Sequence, residues 1–188
     1  EIWVEHFTQP MGADGVDITE SDPFRNSHLS GKTETTDSAY NSLSVALDSL
    51  RDPEVVEYNL LSTPGLTNTS LNNKMVDICE QRGDALAVID LDGGYTPPHD
   101  SKSSRVDRRG NVDTVVKNKK NNLKINSSYG CAYYPWVQIR DTISGVTLWA
   151  PPSVVAIGAM SYGESNSQLW FAPAGFTRGG LSANRAGG

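Results

Sequence analysis

The chain has 188 residues, 37% hydrophobic and 20% charged, which is enough apolar content for an ordinary core and too much for a disordered chain. A net charge of −6 argues against general affinity for nucleic acid, and no apolar run is long enough to span a bilayer. No cleavable-signal pattern opens the sequence, and Cys79 and Cys131, both in apolar contexts, read as buried thiols suited to a reducing compartment rather than as a disulfide or metal site.

Residues 1–36 are rich in Gly, Asp, Ser, Thr and Pro and are expected to be mostly irregular after a short strand at Ile2–Val4. Asp14, Asp17, Glu20 and Asp22 lack the regular acidic spacing of a calcium loop and read as a solvated acidic loop. From Asp37 or Thr36, either able to cap, Tyr40, Leu43, Leu47 and Leu50 recur at helical spacing until Pro53 stops the pattern. Val55–Leu61 reads as a strand and Pro64-Gly65 as a turn. A second helix, capped by Thr69 or Ser70, sets Leu71, Met75, Ile78, Cys79 and Arg82 on one face and closes at Gly83. Ala85–Asp90 is a continuous apolar run, consistent with a strand covered on both faces. Strand, helix and strand in this order make a βαβ unit. The expected fold is therefore α/β: an open mixed sheet with helices on its faces and long irregular loops.

Residues 92–110 form a long loop, and Asn111–Asn122 reads as a polar, Lys-rich helix whose apolar stripe is Val112, Val115 and Val116. Tyr133–Ile139 reads as a strand ended by Asp141 and Gly145. Pro151-Pro152 force Trp149-Ala150 to be extended, and Pro152 suits the first position of a helix. Val154–Met160 is apolar almost all round, the pattern of a helix buried on more than one side, with Gly163 as its terminator. Leu169-Trp170-Phe171 is a further short apolar run, stopped by Pro173 and Gly175.

The sharpest enzyme-like signal is Val88-Ile-Asp-Leu-Asp-Gly-Gly94, a hydrophobic strand ending in D-x-D-G. It resembles the first motif of haloacid-dehalogenase-type phosphotransferases, in which the first Asp is nucleophile and the second general acid, so Asp90 and Asp92 would hold those roles. Gly94 stands where that motif carries Thr or Val, and no acidic pair follows for magnesium. Asp90 and Asp92 therefore read as strand terminators that turn with Gly93 and Gly94. His6, His28 and His99 stand at no metal-ligand spacing, and no serine sits in a G-x-S-x-G frame. No catalytic, cofactor or metal residue is assigned. Lys102 to Lys124 holds eight of the sixteen basic residues but no aromatic for base stacking, so it reads as a wet surface. It could also guide docking against an acidic neighbour such as the 14–22 loop of another subunit.

YPWVQIRD (134–141), the proline-led APPSVVAIGAM (150–160) and WFAPAGFTRGGL (170–181), in that order and spacing, resemble the core domain of contractile phage tail sheath proteins. That family is shared with the sheaths of R-type pyocins and, more distantly, type VI secretion systems. Met11-Gly-Ala-Asp-Gly15 loosely resembles a turn that sheath proteins carry before the core, with Met11 in place of its first Gly. The resemblance implies a non-enzymatic structural subunit, made in the host cytoplasm and resident in the virion tail. Its implied partners are other sheath subunits stacked as hexameric rings, the tail tube, the baseplate and the tail terminator, with no nucleic acid, membrane or cofactor. It also implies a division into an irregular segment, 1–36, and a sheath core, 37–188, continued in the family by arms that neighbours share. The chain starts without Met and stops just after the most family-like words, so it is expected to be a piece of a longer protein and, alone, monomeric or weakly associated. The alternatives are the Asp90/Asp92 phosphotransferase and a sheath subunit of another contractile injection system.

Overall fold

The computed structural model describes residues 24–93 and 111–186, apart from 122, 124–125, 141–142, 144, 169 and 181–184. Helices α1 (Asn26–Leu29) and α2 (Ser38–Ser49) lead to strand β1 (Leu60–Ser62), helix α3 (Thr69–Arg82) and strand β2 (Leu86–Asp90). Helix α4 (Val112–Asn121) and strands β3 (Gly130–Tyr133), β4 (Val137–Arg140) and β5 (Thr147–Ala150) follow. Helices α5 (Pro152–Asn166) and α6 (Gly175–Arg178) and strand β6 (Arg185–Ala186) complete the described chain.

Two small sheets result. β1, β2 and β3 run parallel in the order β1-β2-β3, with Leu61 opposite Ala87 and Val88 opposite Cys131. β4 is the centre of an antiparallel sheet, pairing with β5 from Val137↔Ala150 to Arg140↔Thr147 and with β6 at Gln138↔Arg185. The expected open α/β sheet is present. The single strand expected over Tyr133–Ile139 is instead two, one in each sheet. Pro135 lies between them and has no N–H to give a ladder, so the chain leaves the parallel sheet there.

β2 sits at the centre of the parallel sheet, and Ala87, Val88, Ile89 and Asp90 are all buried. Successive side chains on a strand point to opposite faces. Ala87 and Ile89 accordingly enter the main core with Leu71, Met75, Ile78 and Cys79 of α3, while Asp90 points to the other face and meets α5. Leu29 of α1 is completely buried in this core.

Local chemistry explains where elements start and stop. Asp37 caps α2 by accepting the Tyr40 amide at 2.8 Å. The strand expected from Val55 begins only at Leu60, because Asp52 organises a turn: its carboxylate accepts the Glu54 amide at 2.9 Å and its carbonyl accepts those of Val55 and Val56. Asn68, rather than Thr69 or Ser70, caps α3; its oxygen accepts from Ser70 and Leu71 while its amide donates to the Leu29 carbonyl. Gly83 ends that helix at φ +73°. Arg82 is enclosed at the same end, donating to the Leu50 and Val56 carbonyls and to Asp84, with its guanidinium 4.1 Å from the Tyr58 ring centre.

The C-terminal third departs most from expectation. Gly163 lies inside α5, buried and facing Pro173, and the helix continues to Asn166, where Asn166 and Ser165 bond back to the Tyr162 and Ser161 carbonyls. α5 is not buried on more than one side: Val154 is 44% exposed and Tyr162 62%. In the apolar run that follows, Trp170 is 76% exposed and Phe171 47%. Of the valine stripe on α4, only Val115 is buried, against Leu91 and Leu123. Ile2–Val4, the Met11–Gly15 turn, the 14–22 acidic loop, His6, His99 and most of the 92–110 loop lie outside the described residues.

α2 and α3 are joined by a polar cluster. The Lys74 ammonium meets Asp48 at 2.7 Å, Glu34 at 3.3 Å and the Ser44 hydroxyl, which also donates to Glu34. The Ser44 hydroxyl and the Lys74 ammonium hold the Glu34 carboxyl below its ordinary value; Lys74 and Arg51 do the same for Asp48. Burial alone would raise Asp37, but the Tyr40 amide and the His28 ring, 2.9 Å away, outweigh it and lower it. Carboxyls depressed by folding stabilise the fold above the range where they titrate unfolded, about pH 4, and that gain is lost as pH falls through the lower folded values. These three depressed carboxyls should therefore make the melting temperature fall as pH drops below about 4. Asp37→Asn keeps a capping oxygen but not the titrating group, and should fall less steeply in acid; a profile as steep as the parent's would contradict the assignment.

Candidate functional site

The motif residue Asp90 ends β2 and is 2% exposed. Three hydrogens converge on its carboxylate. One oxygen accepts the Ser153 amide at 2.8 Å; the other accepts the Ser153 hydroxyl at 2.7 Å and the Gly65 amide at 2.9 Å. Burial pushes the Asp90 carboxyl up, and the donors of Gly65 and Ser153 pull against it.

Each partner is placed by local sequence. Gly65 lies in the turn after β1 at φ +83°, a conformation that side-chain-bearing residues rarely adopt, and a Cβ there would stand 3.7 Å from the Trp136 ring and 3.8 Å from Pro151. Asn26 holds the same turn from the other side, donating to the Gly65 carbonyl at 2.7 Å and accepting the Thr67 amide at 2.8 Å. Ser153 is the second residue of α5. That helix begins Pro151-Pro152, and Pro151 at the N-cap has no side-chain acceptor for the orphan amides of the first turn. Asp90, 63 residues earlier, supplies the acceptor and places a carboxylate at the positive end of the helix dipole. The sequence reading of Asp90 as a strand terminator missed this. The signal that could have found it is Pro-Pro-Ser at a helix start, which leaves a cap to be supplied from elsewhere.

In chemical terms, both Asp90 oxygens are committed to protein donors in a site closed to solvent. A nucleophilic carboxylate needs an oxygen aimed at an open position where a phosphoryl group can sit. Asp92, two residues on, is exposed and has left the strand. Among the described residues, no group of three His, Cys, Asp or Glu side chains could hold a metal ion. His28 is engaged with Asp37. Burial pushes the Cys79 thiol up to about 11 and raises Cys131 as well, so neither is poised as a thiolate. Both cysteines are free, Cys79 buried and Cys131 half-buried. A cleft of about 150 Å³ between α2 and β1 is lined by Leu43, Leu47, Leu50, Leu61, Leu66 and Leu71 and does not reach Asp90.

Several large apolar side chains are also exposed. Val154 and Tyr162 on α5, Leu148 on β5, and Trp170 and Phe171 beyond the helix are all exposed. The two aromatic rings meet edge to face at 6.2 Å, and the Arg178 guanidinium lies 4.5 Å from the centre of the Phe171 ring. Lys117, Lys119 and Lys120 of α4 are exposed. No described helix is long and apolar enough to cross a membrane.

No protein-family model matches the chain, and no curated protein matches it at a significant level.

Removing the Asp90 carboxylate orphans buried donors at Gly65 and Ser153. Asp90→Ala should cost on the order of 3 kcal/mol of folding stability, whereas Glu80→Ala at an exposed position of α3 should stay within about 0.5 kcal/mol. Urea unfolding of the two variants checks this; equal losses would contradict the cap.

Proposed function

We propose that this chain is core material of a contractile tail sheath subunit, a structural protein that polymerises around a tail tube and contracts to drive the tube through a host envelope. The observation that carries this reading is the ordered set YPWVQIRD, APPSVVAIGAM and WFAPAGFTRGGL, which resembles the sheath core. Two features of the geometry support a structural role. Asp90, the best enzymatic candidate, is a helix cap with both oxygens engaged. The apolar α5 and the aromatic pair after it leave large side chains at the surface, as expected of a subunit whose cover is completed by neighbours.

In this reading the partners are further sheath subunits in stacked hexameric rings, the tail tube, the baseplate and the tail terminator, within the virion. Contraction is a rigid-body rearrangement between two packings of the same subunits, and needs no nucleotide. The exposed lysines of α4 guide docking by charge; reversing Lys117, Lys119 and Lys120 to Glu should impair assembly. The direct test is electron microscopy of the complete gene product that carries this chain, expressed with no other component. Hollow tubes wide enough to enclose a tail tube are expected; a monodisperse small particle would overturn the reading.

A further inference from the structure

We propose that α5, with the β4–β5 hairpin that leads into it, is a separately movable unit latched to the parallel sheet by Asp90. The main apolar core draws on residues from Leu29 to Ile89, and the smaller cluster on Leu91, Val115 and Leu123 with Tyr134 packed against it. Neither contains a residue of α5 or of the antiparallel sheet. The fully buried residues of α5 are Pro152, Ser153 and Ala156 at its start and Gly163, which faces Pro173 of its own following loop, while Val155, Ile157, Ala159 and Met160 are half-buried.

Among the described residues, every hydrogen bond from α5 to the parallel sheet lands on Asp90, through the Ser153 amide and hydroxyl. Trp136 and Pro151 close against Gly65 at the same spot, so packing and polar contacts coincide at one junction. α5 also lies against β3, but its polar contacts with the sheet meet at this one point, and a unit so held opens at lower free energy than the core unfolds. Pro151 and Pro152 restrict the joint between β5 and α5, so hairpin and helix travel together. The latch is a property of this fold whether or not the chain assembles with others.

Hydrogen exchange of the full chain, read by mass spectrometry, tests it in the parent, Asp90→Asn and Ser153→Ala. An asparagine in place of Asp90 cannot accept at both positions, and Ser153→Ala removes one donor while leaving the backbone cap. In the parent, amides of β4, β5 and α5 should exchange at lower free energy than those of α3 and Leu86–Ile89 and with a weaker dependence on urea, and either variant should speed them about fivefold or more. The same protection and the same urea dependence in α5 as in α3 and β2, or no acceleration of α5 in either variant, would overturn the proposal. Should Asp90→Asn fail to fold, Ser153→Ala gives the same comparison alone.

Discussion

A carboxylate shut away from water must be answered by donors, and at Asp90 that requirement organises three distant parts of the chain. Its described partners include no cation. The answer comes from the Gly65 turn and from the amide and hydroxyl of Ser153 at the mouth of α5. Three hydrogens fall on two oxygens, so the position calls for a carboxylate. The amide of an asparagine would set an N–H against either the Gly65 or the Ser153 backbone amide. Leaving such a group unsatisfied in the interior costs about 1–3 kcal/mol, a sizeable share of the stability of an ordinary domain. The turn after β1, the end of β2 and the start of α5 are thus fixed by one side chain.

Much of the first half was legible because local signals and tertiary packing agree there. Asp37 caps α2, Gly83 closes α3, and the apolar run through Val88 is the buried central strand. Errors arose where one side chain organised backbone beyond its own element. Asp52 took the amides that a strand at Val55 would have used, and Asn68 displaced two weaker candidates because it could accept and donate at once. The Asp90 site was half legible. Its motif stood out in the sequence, but the partner Ser153 lies 63 residues away, and no periodicity announces such a pairing. The uniform apolarity of Val154–Met160 predicted a helix correctly and its burial incorrectly, because composition shows that a face needs cover and not which surface provides it.

That uncovered surface links fold to proposed function. Exposed apolar helix and aromatic side chains stand on the third of the chain that carries the sheath-like words. The first two-thirds hold the continuous core; the last third joins it as β3, paired with β2, and its helix α5 meets it at the Asp90 junction. A subunit that changes neighbours without refolding benefits from such a division, a firm body with a surface element held to it at a defined point.

The most direct measurement of the central claim is a double-mutant cycle between Asp90 and Ser153, combining Asp90→Ala with Ser153→Ala and reading stability by urea unfolding. If the carboxylate and the hydroxyl act on one another, the paired loss should fall short of the sum of the single losses by about 1 kcal/mol or more. Losses that add to within about 0.3 kcal/mol would mean that Asp90 and Ser153 are independent, and the account of how α5 is held would be wrong.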